Sequence, residues 1–259
     1  MTAHVAFVGA GPGHPDLLTL RGAQLLARAE VVLADALIDP GFRNLASQAL
    51  WIDVGKRGFR PSTEQDMINA LLVRHATGQR LIVRLKGGDP SVFGRLEEEL
   101  QAVTAAGLTT EVVPGISAAL AAAAHTRLPL TRRGSGRSVC LRTAMTKDGN
   151  LLAARGADTE VYYMAGRQLG ALGRRLLAAG WPADAPTNVV SRASYPDALA
   201  STHRLDALAQ ASMLHGGRPT VVVVGAGAKP VIGKAHSLPA ATDTERNVFA
   251  FQTFNRQEH

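Results

Sequence analysis

Two apolar runs in this chain stop at glycine-rich turns, and that pairing constrains the fold more than any other feature. His4-Val5-Ala6-Phe7-Val8 ends in Gly9-Ala10-Gly11-Pro12-Gly13, and Leu81-Ile82-Val83-Arg84-Leu85-Lys86 ends in Gly87-Gly88-Asp89-Pro90. Each run is strand-length and each turn leads into a helix-like pattern, the rhythm of βαβ units. Glycine at such a turn lets a ligand approach the backbone, where a Cβ would stand in the way. In open α/β sheets ligands bind beyond the carboxyl ends of the strands, where both turns fall. The sequence therefore predicts a small-molecule site built by the two turns together.

The alternation continues along the first half. Residues 18–29 are amphipathic, 31–34 read as a second strand ending at Asp35, and 50–54 as a third ending at Gly55-Lys56-Arg57. Thr63-Glu64-Gln65-Asp66 resembles a capping box, with Met67, Leu71, Leu72 and His75 following at helical spacing. The run to Lys86 is the fourth strand, and Glu111-Val112-Val113, stopping at Pro114-Gly115, is the fifth. Strands alternating with helices predict a largely parallel sheet. Polar residues 131–137 lack periodicity and read as a linker. Beyond them, 138–143, 161–164, 187–190 and 220–224 read as strands, and 169–179 and 205–214 as helices; 198–205 is a further strand candidate. The expected fold class is α/β in two domains: residues 1–133 with a mostly parallel sheet, residues 138–233 with a mixed sheet, then a polar tail, 234–259.

Composition narrows the function classes. No apolar run is long enough to span a bilayer, and the strand at the N-terminus leaves no room for a signal peptide. A single cysteine, Cys140, excludes an internal disulfide and fits a reducing compartment, so a cytoplasmic protein is expected. Lys plus Arg is 28 against 21 for Asp plus Glu, a net charge of +7 that favours anionic partners. Arg127, Arg132, Arg133 and Arg137 stand out, although for any one of them solvated surface charge is the better reading.

Several familiar sites are excluded. After Gly9 and Gly11, the third glycine of a dinucleotide fingerprint would fall on His14. The stretch from Gly227 to Gly233-Lys234 has the wrong spacing for a Walker A loop, with Ala235 where Ser or Thr must hold magnesium. The histidines are scattered, so no metal is expected. Ser117, in Pro114-Gly115-Ile116-Ser117, lacks the glycine of a nucleophile elbow because Ala119 stands there; it reads as a helix cap or a ligand hydrogen-bonder. Asp89-Pro90 reads equally as a helix start or as ligand binding. Asp35 and Lys56, each at the carboxyl end of a strand, form either an acid–base pair or a salt bridge at a loop base.

In order, the chain carries Gly9-Ala10-Gly11-Pro12-Gly13, Leu17-Leu18-Thr19-Leu20-Arg21-Gly22, Asp35-Ala36-Leu37, Val54-Gly55-Lys56-Arg57, a segment from Val83 to Phe93-Gly94-Arg95, and Val113-Pro114-Gly115-Ile116. With these motifs it resembles the S-adenosylmethionine-dependent tetrapyrrole methyltransferases, over roughly residues 4 to 228. Val54-Gly55-Lys56-Arg57 is typical of the branch that acts on uroporphyrinogen III. The resemblance implies an α/β–α/β homodimer with S-adenosylmethionine in the cleft between domains and no metal. It maps cofactor contacts onto Pro12, Gly87, Gly88, Asp89, Val92, Ser117, Ala118, Met164 and Ala193, a general base onto Asp35 and an acid onto Lys56. The implied reaction methylates two pyrrole carbons, giving precorrin-2 for sirohaem or cobalamin synthesis. The implied partner is a polyanionic tetrapyrrole with eight carboxylates, which gives the arginine surplus a purpose; Arg132, Arg133 and Thr143 are the substrate-side candidates.

The chain also departs from the family pattern. Ala34 replaces the usual Tyr before Asp35, and Ser91 a usual Phe. Gly94-Arg95-Leu96-Glu97-Glu98 stands for Gly-Arg-Gly-Gly-Glu-Glu, Thr131-Arg132-Arg133 for Thr-His-Arg, and Thr143-Ala144-Met145 for Thr-Gly-His. These changes leave open a second reading, a methyltransferase for a different precorrin. A nucleic-acid-binding protein ranks last: aromatics are 5% of residues and only Phe59 lies among arginines. Neither nucleic acid nor membrane is an expected partner.

Overall fold

The computed structural model describes residues 4–55, 65–76, 80–145 and 151–231. The first sheet is built from β1 (His4–Gly9), β2 (Val31–Ala34), β3 (Leu50–Asp53), β4 (Leu81–Lys86) and β5 (Thr109–Val113), in the order β3-β2-β4-β1-β5. Every pairing is parallel. Helices cover both faces, so β1 beyond His4 and all of β2 are apolar rather than alternating, as strands buried on both sides are, and β4 follows them except at Arg84 and Lys86. On one face α1 (Leu20–Arg28) and the 3₁₀ turn Pro40–Ala46 bury Leu25, Leu26 and Phe42 against Val8, Val32 and Leu85. On the other, α2 (Gln65–His75) and α3 (Leu96–Ala105) bury Ile68, Leu72 and Val103 against Phe7, Leu33 and Ile82. The start of α1 is fixed by Thr19, whose hydroxyl accepts from the Gly22 amide at 3.1 Å.

The second sheet runs β6-β7-β10-β8-β9, from β6 (Val139–Thr143), β7 (Thr159–Tyr163), β8 (Pro186–Ser191), β9 (Leu199–Arg204) and β10 (Thr220–Gly225). Only β6 and β7 are parallel; the other pairings are antiparallel, so the sheet is mixed as expected. One face is closed by α5 (Leu169–Ala178) and the turn Leu205–Ala211, through Leu172, Leu176 and Leu208. The strand candidate at 198–205 is β9, Leu199–Arg204. The helix expected at 205–214 is instead 3₁₀ over Leu205–Ala211, then a single turn, α6 (Ser212–His215). Met164, expected to end a strand, lies just beyond β7 in a left-handed turn (φ 58°).

The remaining helix, α4 (Ala118–Thr126), follows β5 in sequence but packs on the second sheet. Ala119, Ala121 and Ala122 meet Val161, Tyr163, Val190, Val221 and Val223. Alanine keeps that contact close, and it ties the sheets into one compact unit, Met1–Lys229. The stretch 131–137 connects the two sheets through a hairpin closed by Arg132 and Gly136. Residues 230–259 fall in a separate unit, of which only Pro230 and Val231 are described.

Candidate active site

The two glycine turns are one object. Gly11 donates to the Gly88 carbonyl at 3.2 Å and Gly88 donates to the Gly11 carbonyl at 2.7 Å, a backbone bridge joining the ends of β1 and β4. Both glycines have positive φ, 78° and 71°, which explains their identity without invoking a ligand. The expectation that the first turn is glycine-rich for ligand approach needs correction. A Cβ on Gly9 would meet the Gly115 backbone at 2.6 Å, and one on Gly13 would meet the Tyr195 ring at 2.5 Å. These positions are small because protein fills the space. The second turn is different: a Cβ on Gly88 would have nothing within 4 Å, and one on Gly87 only Leu37 at 3.8 Å. Open room beside exposed backbone exists at Gly87-Gly88, with half-buried Pro12 next to Gly11 across the bridge.

Asp89 organises the loop that follows. One carboxylate oxygen accepts from the Ser91 amide at 2.8 Å and from the Ser91 hydroxyl; the other accepts from the Gly115 amide at 2.9 Å. Burial would raise its pKa, but these hydrogen bonds hold it below the usual carboxylate value. No helix starts at Pro90, because α3 begins at Leu96 after Arg95 in the left-handed region. Of the two readings of Asp89-Pro90, the helix start is therefore corrected: Asp89 links the second glycine turn to the turn after β5.

Ser117 occupies the N-cap position of α4, yet its hydroxyl makes no cap hydrogen bond. It lies 2.6 Å from the Tyr163 hydroxyl, at the end of β7. Burial raises the Tyr163 pKa, keeping that hydroxyl protonated. Val92, Ala118 and Ala193 pack in the same apolar cluster as Tyr163, and Phe93 meets the Tyr163 ring edge-on at 5.1 Å. A cavity of about 670 Å³ opens here, lined by Asp89, Val92, Ser117, Leu130 and Tyr163 among others. Phe93, Met164, Arg192 and Ser194 all have positive φ. Such backbone costs energy in residues with side chains and gathers at binding sites. Of the expected contacts, Asp89, Val92 and Ser117 line this cavity, Ala118 and Ala193 belong to the same apolar cluster, and Gly87 and Gly88 immediately precede Asp89. Met164 is the residue after Tyr163, exposed in its turn.

Asp35 sits at the carboxyl end of β2, a third exposed, with one carboxylate oxygen 2.5 Å from Arg84 Nη2. Arg84 is buried under the sheet. It also bonds Glu99 through Nε and Nη2 and donates through Nη1 to the Leu33 and Leu85 carbonyls, at 3.2 and 3.3 Å. Lys86 Nζ reaches both Glu99 oxygens at 2.9 Å. Burial tends to lower the Arg84 pKa, but the Asp35 and Glu99 carboxylates outweigh it and the net shift is upward. Burial and the nearby Arg84 charge push Lys86 down. Sequence reasoning missed this cluster, although Arg84 and Lys86 two apart in an apolar strand were its signal: both project to the α3 face, where Glu97-Glu98-Glu99 supplies acid. Lys56 lies outside the described residues. Gly55, just before it, abuts Asp35's turn: a Cβ there would overlap the Ala36 amide nitrogen.

The substrate-side candidates are placed less simply. Arg132 donates through Nη2 to the Lys229 carbonyl, and its Nε is buried without a partner. Arg133 is exposed at the tip of the connecting hairpin. The Thr143 hydroxyl is engaged with the Met145 backbone as donor at 2.8 Å and acceptor at 3.1 Å. Among the described residues no cluster of His, Cys, Asp or Glu is arranged to hold a metal, and no helix is long and apolar enough to cross a membrane.

A parallel α/β sheet and a mixed sheet sharing α4, with the open glycine turn tied through Asp89 to the turn that leads into α4, define the class. The chain belongs to the Tetrapyrrole (Corrin/Porphyrin) Methylases, whose model matches residues 4–209. Among its relatives is the uroporphyrinogen-III C-methyltransferase of Pseudomonas aeruginosa, 39% identical over 245 residues, 93% of this chain and all of that one. The siroheme synthase of Baumannia cicadellinicola is 42% identical over 229 residues, 86% of this chain but only 49% of the relative, so the chain spans about half of that longer protein. The crystal structure of uroporphyrin-III C-methyl transferase from Thermus thermophilus, complexed with S-adenyl homocysteine, superposes with a TM-score of 0.76 at 36% identity, covering 86% of this chain and 98% of that one.

Proposed function

We propose that the protein transfers methyl groups from S-adenosylmethionine to two pyrrole carbons of uroporphyrinogen III, giving precorrin-2 for sirohaem or cobalamin synthesis. The observation that carries this reading is the open backbone of Gly87-Gly88 beside an apolar wall of Val92, Ala118 and Ala193, with Ser117, Tyr163 and Asp89 fixing its edges. That surface suits a ligand with an apolar, planar part and polar ends, and the Pseudomonas aeruginosa and Thermus thermophilus relatives agree with it. Bound there, S-adenosylmethionine supplies an electrophilic methyl group on a sulfonium. The chain aligns the acceptor carbon and excludes water.

After transfer the methylated carbon is quaternary, because every pyrrole β-carbon of uroporphyrinogen III already carries a side chain. The proton that restores neutrality must therefore leave from elsewhere on the macrocycle, a ring N–H or a bridging CH2. Asp35 is the group proposed to take it. Arg84 holds one of its oxygens in place, and the side chain is open to solvent on its other side. Lys56 is proposed as the acid, Pro12 and Met164 as further cofactor contacts, and Arg132, Arg133 and Thr143 as substrate-side groups. We also propose a homodimer, cytoplasmic, with the domain boundary in the 131–137 connection.

Anaerobic incubation with S-adenosylmethionine and uroporphyrinogen III, followed by mass analysis, tests the reading. Two added methyl groups support it. One or none overturns it in favour of a different precorrin, the reading kept open by the Thr131-Arg132-Arg133 and Thr143-Ala144-Met145 departures.

A further inference from the structure

We propose that Tyr195 is a positioning residue for methyl transfer, a latch from the second sheet's loop that sets the turn carrying Asp35 against the glycine turns. The proposal rests on the reading of the site given above. Tyr195 follows β8, in a loop held by its own ion pairs: Arg192 Nε to Asp197 at 2.8 Å and Arg218 Nη2 to Asp197 at 2.9 Å. The Arg192 guanidinium lies over the Tyr195 ring, 4.1 Å from its centroid. From this base the side chain reaches the first sheet at two places. Its ring fills the space that a Cβ on Gly13 would need. Its hydroxyl donates to the Leu37 carbonyl, and burial raises the pKa of that hydroxyl, so it remains a donor.

Leu37 is two residues beyond Asp35, in a turn where the Ile38 amide donates to the Asp35 carbonyl at 3.3 Å. Its Cβ is also the nearest atom to the open side of Gly87. One side chain therefore meets the base's turn through its hydroxyl and the first glycine turn through its ring, and the Leu37 it holds borders the second. Arg84 holds the Asp35 carboxylate; Tyr195 holds the same turn two residues on, at the Leu37 carbonyl. Without the Tyr195 tie, the carboxylate would keep its partner but lose its register against the acceptor carbon.

Tyr195→Phe keeps the ring and deletes the hydroxyl. At matched folded fraction, single-turnover methyl transfer should fall roughly ten- to a hundredfold, as for a small misplacement of a reacting group. Affinity for S-adenosylhomocysteine by calorimetry should be unchanged, and amide hydrogen exchange should quicken at residues 36–38. Gly13→Ala, which pushes the ring away, should slow transfer in the wild-type background and add nothing to Tyr195→Ala. Faster exchange with an unaltered transfer rate would make the contact purely structural and overturn the proposal. So would unaltered exchange, or a loss of cofactor affinity parallel to the loss of rate. If the wild-type protein transfers no methyl to uroporphyrinogen III, the functional reading fails separately, and the tie is judged on amide exchange at residues 36–38 in Tyr195→Phe and Gly13→Ala.

Discussion

Gly87 and Gly88 are neighbours with different reasons for being glycine. Gly88 needs a left-handed backbone and carries both bonds of the bridge to Gly11; Gly87 has no such constraint, only open space. Gly87→Val is therefore the cleaner probe. It should abolish S-adenosylhomocysteine binding in calorimetry while the melting temperature stays near wild type, and full affinity in the folded variant would remove this turn from the site. Gly88→Val should lose stability as well, since a left-handed residue with a side chain costs about 1–2 kcal/mol. For Asp35, Asp35→Asn keeps shape and hydrogen-bonding reach but cannot take a proton. Single-turnover transfer should drop by roughly 10²–10⁴-fold with cofactor affinity retained; wild-type turnover would end its assignment as base. At this scale the sequence was partly legible. The second glycine turn could be read because a strand stopping at Gly-Gly-Asp has few other uses. Gly9 and Gly13 read the same way and are glycine for another cause, since their constraint comes from Gly115 and Tyr195, more than a hundred residues away in sequence.

The contact between α4 and β7 is the element-scale counterpart. Ser117 begins the helix and Tyr163 ends the strand, and their hydroxyls satisfy each other in a buried place. Ser117→Ala leaves the Tyr163 hydroxyl with only the Ala119 backbone and should cost about 1 kcal/mol, whereas the pair Ser117→Ala/Tyr163→Phe should cost clearly less than the sum of the single changes. Additive losses in denaturant titrations would show that the two hydroxyls do not depend on each other. Strands were the most legible elements, because β1, β4 and β10 are short apolar runs bounded by turn residues. The stretch 205–214 misled because its apolar spacing suits a helix, while much of it is wound as 3₁₀ against α5. That α4 would lie on the second sheet was not legible, since an alanine-rich helix carries no periodic face to say which partner it covers.

Across the whole molecule, the α/β class and the change from parallel to mixed sheet could be read from rhythm alone. The way the sheets share α4 could not. A last consequence concerns the buried ions. Arg84 and Lys86 are answered by Glu99 and Asp35 within a few ångströms, so their charges cancel locally and the surplus of +7 belongs to the remainder of the chain. Encounter with an eightfold carboxylate then depends on a long-range field that added salt removes, while the chemistry proceeds inside a self-neutralised shell that salt hardly reaches. For uroporphyrinogen III, kcat/KM should fall steadily as sodium chloride rises toward ~0.5 M, where the screening length shrinks to a few ångströms, and kcat should stay nearly level. Steady-state kinetics across that range measure both at once. A salt-independent kcat/KM would mean that the cationic surplus faces away from the path of approach.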